Sequence, residues 1–189
     1  VAKRRIRALV SMLEESGLVV DSIDIPELVL RNLATHFIGD VNGVAFMDLR
    51  GSGSTMNITR ASDLYLSRRI NSKLDSNIMQ SPNWEATKVR LVLEIQRSLD
   101  YYESQMGFPA INTLVLVQRR HDGVALAAAL SQELTTQVQV LDLEAGLSSD
   151  VRLPPELQQV ASVAIGATLR NYMPVHADSD HSEKSEVAA

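Results

Sequence analysis

The stretch that most constrains this chain is residues 44–70. Val44-Ala45-Phe46-Met47 is a short apolar run closed by Asp48, and Gly51 and Gly53 punctuate the turn after it. Thr55-Met56-Asn57-Ile58-Thr59 alternates polar and apolar, the period of a half-buried strand. Arg60-Ala61-Ser62-Asp63 makes a second turn, and residues 64–70 form a third strand. Three strands joined by tight turns make a meander, and a meander must bury a face against other layers. The acidic residue at the strand end is followed at once by Gly51-Ser52-Gly53-Ser54. Amides and hydroxyls in such a turn can face an anion, or a metal held by the carboxylate.

The flanking segments supply the other layers. Ile6, Leu9, Val10 and Leu13 recur at helical spacing and predict a helix over residues 3–16, stopped by Gly17. Residues 18–23 read as a strand. A second helix follows to Phe37, with Pro26 in its first turn, Asp24 as its cap, and Leu28, Leu30, Leu33 and Phe37 as its inward stripe. Residues 39–43 are turn-rich. After the meander, residues 84–105 form the longest helix, with Val89, Val92, Ile95, Leu99 and Tyr102 inward. Residues 111–117 are a buried strand, 123–134 an alanine-rich helix, and 138–143 a further strand. The last helix spans 155–172, with Leu157, Val160, Val163 and Ala164 inward. Residues 176–189 read as a polar, disordered tail. Strands mixed with covering helices imply a layered α/β domain.

Composition removes several classes of function. The formal net charge of −5 argues against a general nucleic-acid binder, which needs a basic excess, and against a polybasic membrane-surface segment. There is no cysteine, hence no disulfide framework or thiolate metal site. No apolar run reaches the ~18 residues of a membrane span, and no signal peptide is visible. The chain begins at Val1 and enters a helical pattern at once, as expected of a piece of a longer protein.

Strand, Asp48, Gly/Ser turn, strand, turn, strand resembles the second phosphate loop of actin-like ATPases. Four stretches extend the likeness: residues 13–28; Met47-Asp48-Leu49 with Ser52, Asn57-Ile58 and Ser67-Arg68; Leu93-Glu94-Ile95-Gln96-Arg97-Ser98-Leu99-Asp100-Tyr101-Tyr102; and residues 114–143. Together they resemble the PilM-type pilus-assembly branch of that superfamily, on its MSHA side. The resemblance implies a ribonuclease-H-like, actin-like fold, α/β in class. One complete half would be present at residues 41–175, with 1–40 the end of a preceding domain. It implies a cytoplasmic scaffold of type IV pilus biogenesis, held at the inner membrane through a bitopic, PilN- or MshJ-like partner. That partner's tail would sit in a groove of the first domain, of which residues 1–38 are the margin. No nucleic acid and no direct membrane insertion are expected; a homo-oligomer is compatible.

The resemblance also assigns a phosphate site to Asp48, Arg50, Gly51, Ser52, Gly53 and Ser54, with Asp48 holding Mg²⁺ through water. Two departures affect it. An ATP-binding relative carries Asp-x-Gly, where glycine lets the backbone approach phosphate; here the third residue is Arg50. The adenosine stretch carries adjacent glycines, where this chain has Gln118-Arg119-Arg120-His121-Asp122. The expectation is a degenerate nucleotide site and no enzyme, with ATP and Mg²⁺ retained only if the site is intact in the full-length protein. The alternatives are an active ATPase or phosphotransferase, and the cytoplasmic domain of a type II secretion platform protein. Outside this turn, Arg119-Arg120-His121 read as a solvated loop, His176 and His181 as tail residues, and His36 as a helix-end cation. No Ser-His-Asp set and no spaced carboxylate pair supports other chemistry.

Overall fold

The structure, a computed structural model, describes residues 3–50, 53–71, 74, 77–117, 122–147 and 152–171. The meander forms as the sequence predicts. Its strands are β1 (Val44–Asp48), β2 (Ser54–Arg60) and β3 (Asp63–Ile70), paired antiparallel with Met47 opposite Met56 and Asn57 opposite Ser67. On the other side of β1, β4 (Thr113–Leu116) and β5 (Gln137–Val140) add in parallel. The order β3-β2-β1-β4-β5 makes one mixed sheet with β1 at its centre.

Alternation along the central strands divides the core. Ala45, Met47, Leu114 and Leu116 belong to one cluster, with Leu91, Ile95 and Tyr102 of α3 (Trp84–Met106) and Leu126 and Leu130 of α4 (Gly123–Ser131). Val44, Phe46, Val115 and Val117 belong to another, with Leu30, Leu33 and Ala34 of α2 (Pro26–Phe37). Because the side-chain period in a strand is two, this split fixes the register of β1 and β4. α2 packs on this second face of the sheet through Leu30, Leu33 and Ala34.

The second hairpin turn needs outside support. Ala61 and Ser62 have φ of 48° and 67°, values that favour glycine or asparagine. Buried Asp40 supplies that support. Its carbonyl accepts from Ala61 N at 2.9 Å, and its Oδ2 accepts from Ser62 N at 2.9 Å and from Thr35 Oγ1 at 3.2 Å. The turn is thereby tied to the end of α2.

Several sequence expectations are corrected. Residues 18–23 are not a strand; Leu18, Val19 and Ile23 are exposed and pair with no ladder, and an extended segment without a neighbouring strand leaves its backbone groups to water. They follow α1 (Lys3–Glu15), none of whose residues is buried. Asp24 does not cap α2, whose N-cap is Ile25; Asp24 pairs instead with Arg170 at 3.0 Å. In α3 the buried face is Leu91, Val92, Ile95, Ser98 and Tyr102, while Val89 is exposed. Ser98 is tolerated there because its hydroxyl donates to Glu94 O. β5 stops at Val140, and Leu143 opens the short α5 (Leu143–Gly146), capped by Asp142 accepting from Glu144 N.

The largest correction concerns α6 (Pro155–Thr168), which ends in a 3₁₀ turn at Leu169–Asn171. Leu157 and Val160 face outward, and Gln158, Ser162 and Gly166 are buried. The physical reason is close approach. A Cβ on Gly166 would stand 2.6 Å from Val29 Cγ1 and 2.8 Å from Val29 O. The α2–α6 seam is therefore built from small and polar residues, and Asn32 Nδ2 donates to Gly166 O at 2.9 Å across it. The expected tail lies outside the described residues.

Candidate functional site

The site is set by where β1 and β4 end together. Val117 N donates to Met47 O at 2.8 Å, so the chain leaves β4 beside Asp48. Ligands in open α/β sheets bind beyond the carboxyl ends of such strands. Asp48 closes β1 opposite Thr55, with its side chain only 15% exposed.

Arg50 turns back on it. Arg50 Nε donates to Asp48 Oδ2 at 2.7 Å, a charge-assisted contact. The loop is closed by Ser54, whose Oγ accepts from Arg50 N at 3.3 Å, and by Gly53 N donating to Arg50 O at 3.2 Å. Gly53 has φ of 141°, which its lack of a side chain permits. Four of the six residues assigned to the phosphate site are thus brought together; Gly51 and Ser52 lie outside the described residues.

Sequence reading missed Arg69. It lies on β3 opposite Thr55, and its guanidinium rests over Gly53, with Nη2 2.7 Å from where a Cβ would stand. Pairing the predicted strands residue by residue across the meander would have found it. Two guanidinium groups and one carboxylate therefore share this turn.

The fit of a metal can be judged from these contacts. A water-held Mg²⁺ needs a carboxylate whose charge is available to it. Asp48 already spends its charge on Arg50, and among the described residues no group of three or more His, Asp or Glu could hold a metal. Among the described residues, the turn therefore offers no unpaired carboxylate that fits a Mg²⁺ ion. Of the glycine-poor stretch 118–122, residues 118–121 lie outside the described residues. Gly123 after it is buried, and Asp122 precedes α4 as its N-cap.

A cavity of about 480 Å³ opens at the end of β5, lined by Val124, Asp142, Glu144 and Arg152 among others. Gln158 forms its inner wall and is fully engaged. Its Oε1 accepts from Leu143 N at 2.8 Å, and its Nε2 donates to Leu153 O and to Asp142 Oδ1. Trp84 packs on the core, and His36 contacts the Phe37 ring edge-on at 4.9 Å.

No family model and no curated protein matches this sequence. Among solved structures, the chain is similar to one described as the PilM-PilN type IV pilus biogenesis complex, with a TM-score of 0.63 and 17% identity over 89% of this chain and 58% of that one. It is also similar to the ethanolamine utilization protein EutJ from Carboxydothermus hydrogenoformans, with a TM-score of 0.50 and 12% identity over 89% and 62% of the two chains. The chain thus spans about three fifths of each. The fold is that of the actin-like ATPases, as the meander and its covering helices predicted.

Proposed function

We propose that this chain is the second actin-like domain of a type IV pilus-assembly scaffold, PilM-like and nearest to the MSHA pilus biogenesis protein MshI. The observation that carries the reading is the likeness to the PilM-PilN structure along 89% of the chain. The ordered motifs at residues 13–28, 47–68, 93–102 and 114–143 support it independently. On this reading α1 and the exposed residues 18–25 close a preceding domain of a longer protein. Their apolar side chains, among them Ile6, Leu9, Met12 and Val19, pack against that domain.

The scaffold is not an ATPase. Arg50 sits against Asp48 where phosphoryl transfer requires a metal-bound, preorganised phosphate cradle. It works instead in the cytoplasm by holding the short tail of a bitopic inner-membrane partner, PilN- or MshJ-like. Among the described residues no helix is long and apolar enough to cross a membrane, so the partner supplies the membrane attachment. The test is calorimetric titration of the full-length protein with a synthetic peptide of the partner's cytoplasmic tail. Saturable binding is expected; no heat of binding with both components folded would refute the scaffold role.

A further inference from the structure

We infer that the outer face of α6 is a self-association surface, occupied by the α6 of a second copy of this chain running antiparallel to it. α6 is built inside out. Its buried residues are Gln158, Ser162 and Gly166, whereas a surface helix ordinarily turns its apolar stripe to the core. Leu157, Val160, Ala164 and Ala167 recur at helical spacing on the opposite side, and all four are exposed, Val160 to 77%. Single apolar side chains on a surface are ordinary, but four in one row on one helix make a continuous strip. From Leu157 to Leu169 the chain carries no charged residue.

The charges at the two ends of the strip select the occupant. Exposed Glu156 stands in the first turn of α6 and takes part in no ion pair among the described residues. Exposed Arg170 stands at the far end; it gives Nη1 to Asp24 at 3.0 Å and keeps other donors of its fork for a further acceptor. The two lie about four helical turns apart, hence toward the same side of the strip. A two-fold axis at Val163, midway between them, sets Glu156 of each copy beside Arg170 of the other. A parallel pair would set like charge against like. The strip has no row of basic residues to hold anionic lipid, and its one charge of each sign gives no preference for a strongly acidic or basic partner. Ala164 and Ala167 let a second helix come close. A helix of 14 residues is about 21 Å long, so one such pair makes a small interface, below about 1,200 Å², and the association is weak.

The experiment uses the full-length protein, free of other cysteines as this chain is, with one thiol introduced on α6. In the antiparallel pair Ala164 lies about 3 Å along the axis from its counterpart, and Leu157 about 18 Å from its own. Ala164→Cys is therefore expected to form an intermolecular disulfide on mild oxidation, and Leu157→Cys is not. Sedimentation velocity from about 1 to 500 µM should show a monomer–dimer equilibrium. Val160→Glu, an exposed change that leaves the core intact, should weaken it about tenfold by placing an unpaired charge in the contact. Glu156→Arg should weaken it about fivefold. A monomer throughout that range overturns the inference, as does a dimer that Val160→Glu leaves unchanged or that Ala164→Cys does not cross-link. Equal cross-linking of Ala164→Cys and Leu157→Cys overturns the antiparallel pairing. An introduced thiol at position 164 that resists maleimide shows the strip covered by another part of the same protein, and overturns the inference too. None of these outcomes touches the scaffold reading, which does not rest on α6.

Discussion

Gly166→Ala sets two effects of opposite sign against each other. Gly166 lies in the interior of α6, where alanine is favoured over glycine by about 1 kcal/mol. On an open helix face the substitution would therefore stabilise. Here the new methyl would stand 2.6 Å from Val29 Cγ1, 2.8 Å from Val29 O and 2.9 Å from Leu33 Cγ. A side chain can rotate away from the first of these, but the second is backbone of α2, and Leu33 is wholly buried. Relief requires α2 and α6 to move apart, which lengthens the Asn32 Nδ2–Gly166 O bond from 2.9 Å. Overpacking of this kind costs about 1–3 kcal/mol, and a weakened buried hydrogen bond adds about 1 kcal/mol. Net destabilisation of about 1–3 kcal/mol should follow after the propensity gain is subtracted. Urea denaturation followed by circular dichroism measures it as a lower midpoint at unchanged slope. A midpoint equal to or above that of the parent would refute the close α2–α6 seam, and with it the assignment of Gln158, Ser162 and Gly166 to the inward face.

Two further perturbations probe the elements that hold the site. Asp40→Ala removes the acceptor of Ser62 N and Thr35 Oγ1 beneath a turn with two positive-φ residues, and should cost about 2–4 kcal/mol; Ser62→Gly, by relieving one of those φ values, should recover part of it in the same denaturation assay. Lys88 has its pKa raised above 10.5 by hydrogen bonds to Glu85 and then Glu133, which link α3 to the segment after α4. A group with a raised folded pKa stabilises below the unfolded value and loses that contribution as pH climbs through the folded one. The parent protein should therefore lose stability relative to Lys88→Met as pH rises above 10.5, and parallel urea midpoints for the two proteins would contradict the pairing.

The meander was legible in the sequence because β2 and its turns carry their own signals: alternation in residues 55–59, glycines after Asp48, and polar residues at 60–63. The central strands were equally clear from short runs of β-branched and apolar residues. The inward face of α6 was not. Leu157 and Val160 attract a hydrophobic reading, yet the helix packs on α2, where backbone proximity selects glycine and serine over bulk. The periodicity of an apolar stripe does not reveal that its neighbour comes too close for it. Residues 18–23 have strand composition, but strand formation depends on a partner, which is a tertiary fact. At the site, Arg50 was visible as a break in the family pattern, whereas its contact with Asp48 and the approach of Arg69 emerge only when the strands are paired in register.

The central claim is that this actin-like fold carries a phosphate turn closed by its own arginine. Calorimetric titration of the full-length protein with ATP, with and without Mg²⁺, tests it most directly. The account predicts no Mg²⁺-dependent binding, and none gained or lost in Asp48→Ala. Tight, Mg²⁺-dependent binding that Asp48→Ala abolishes would contradict it.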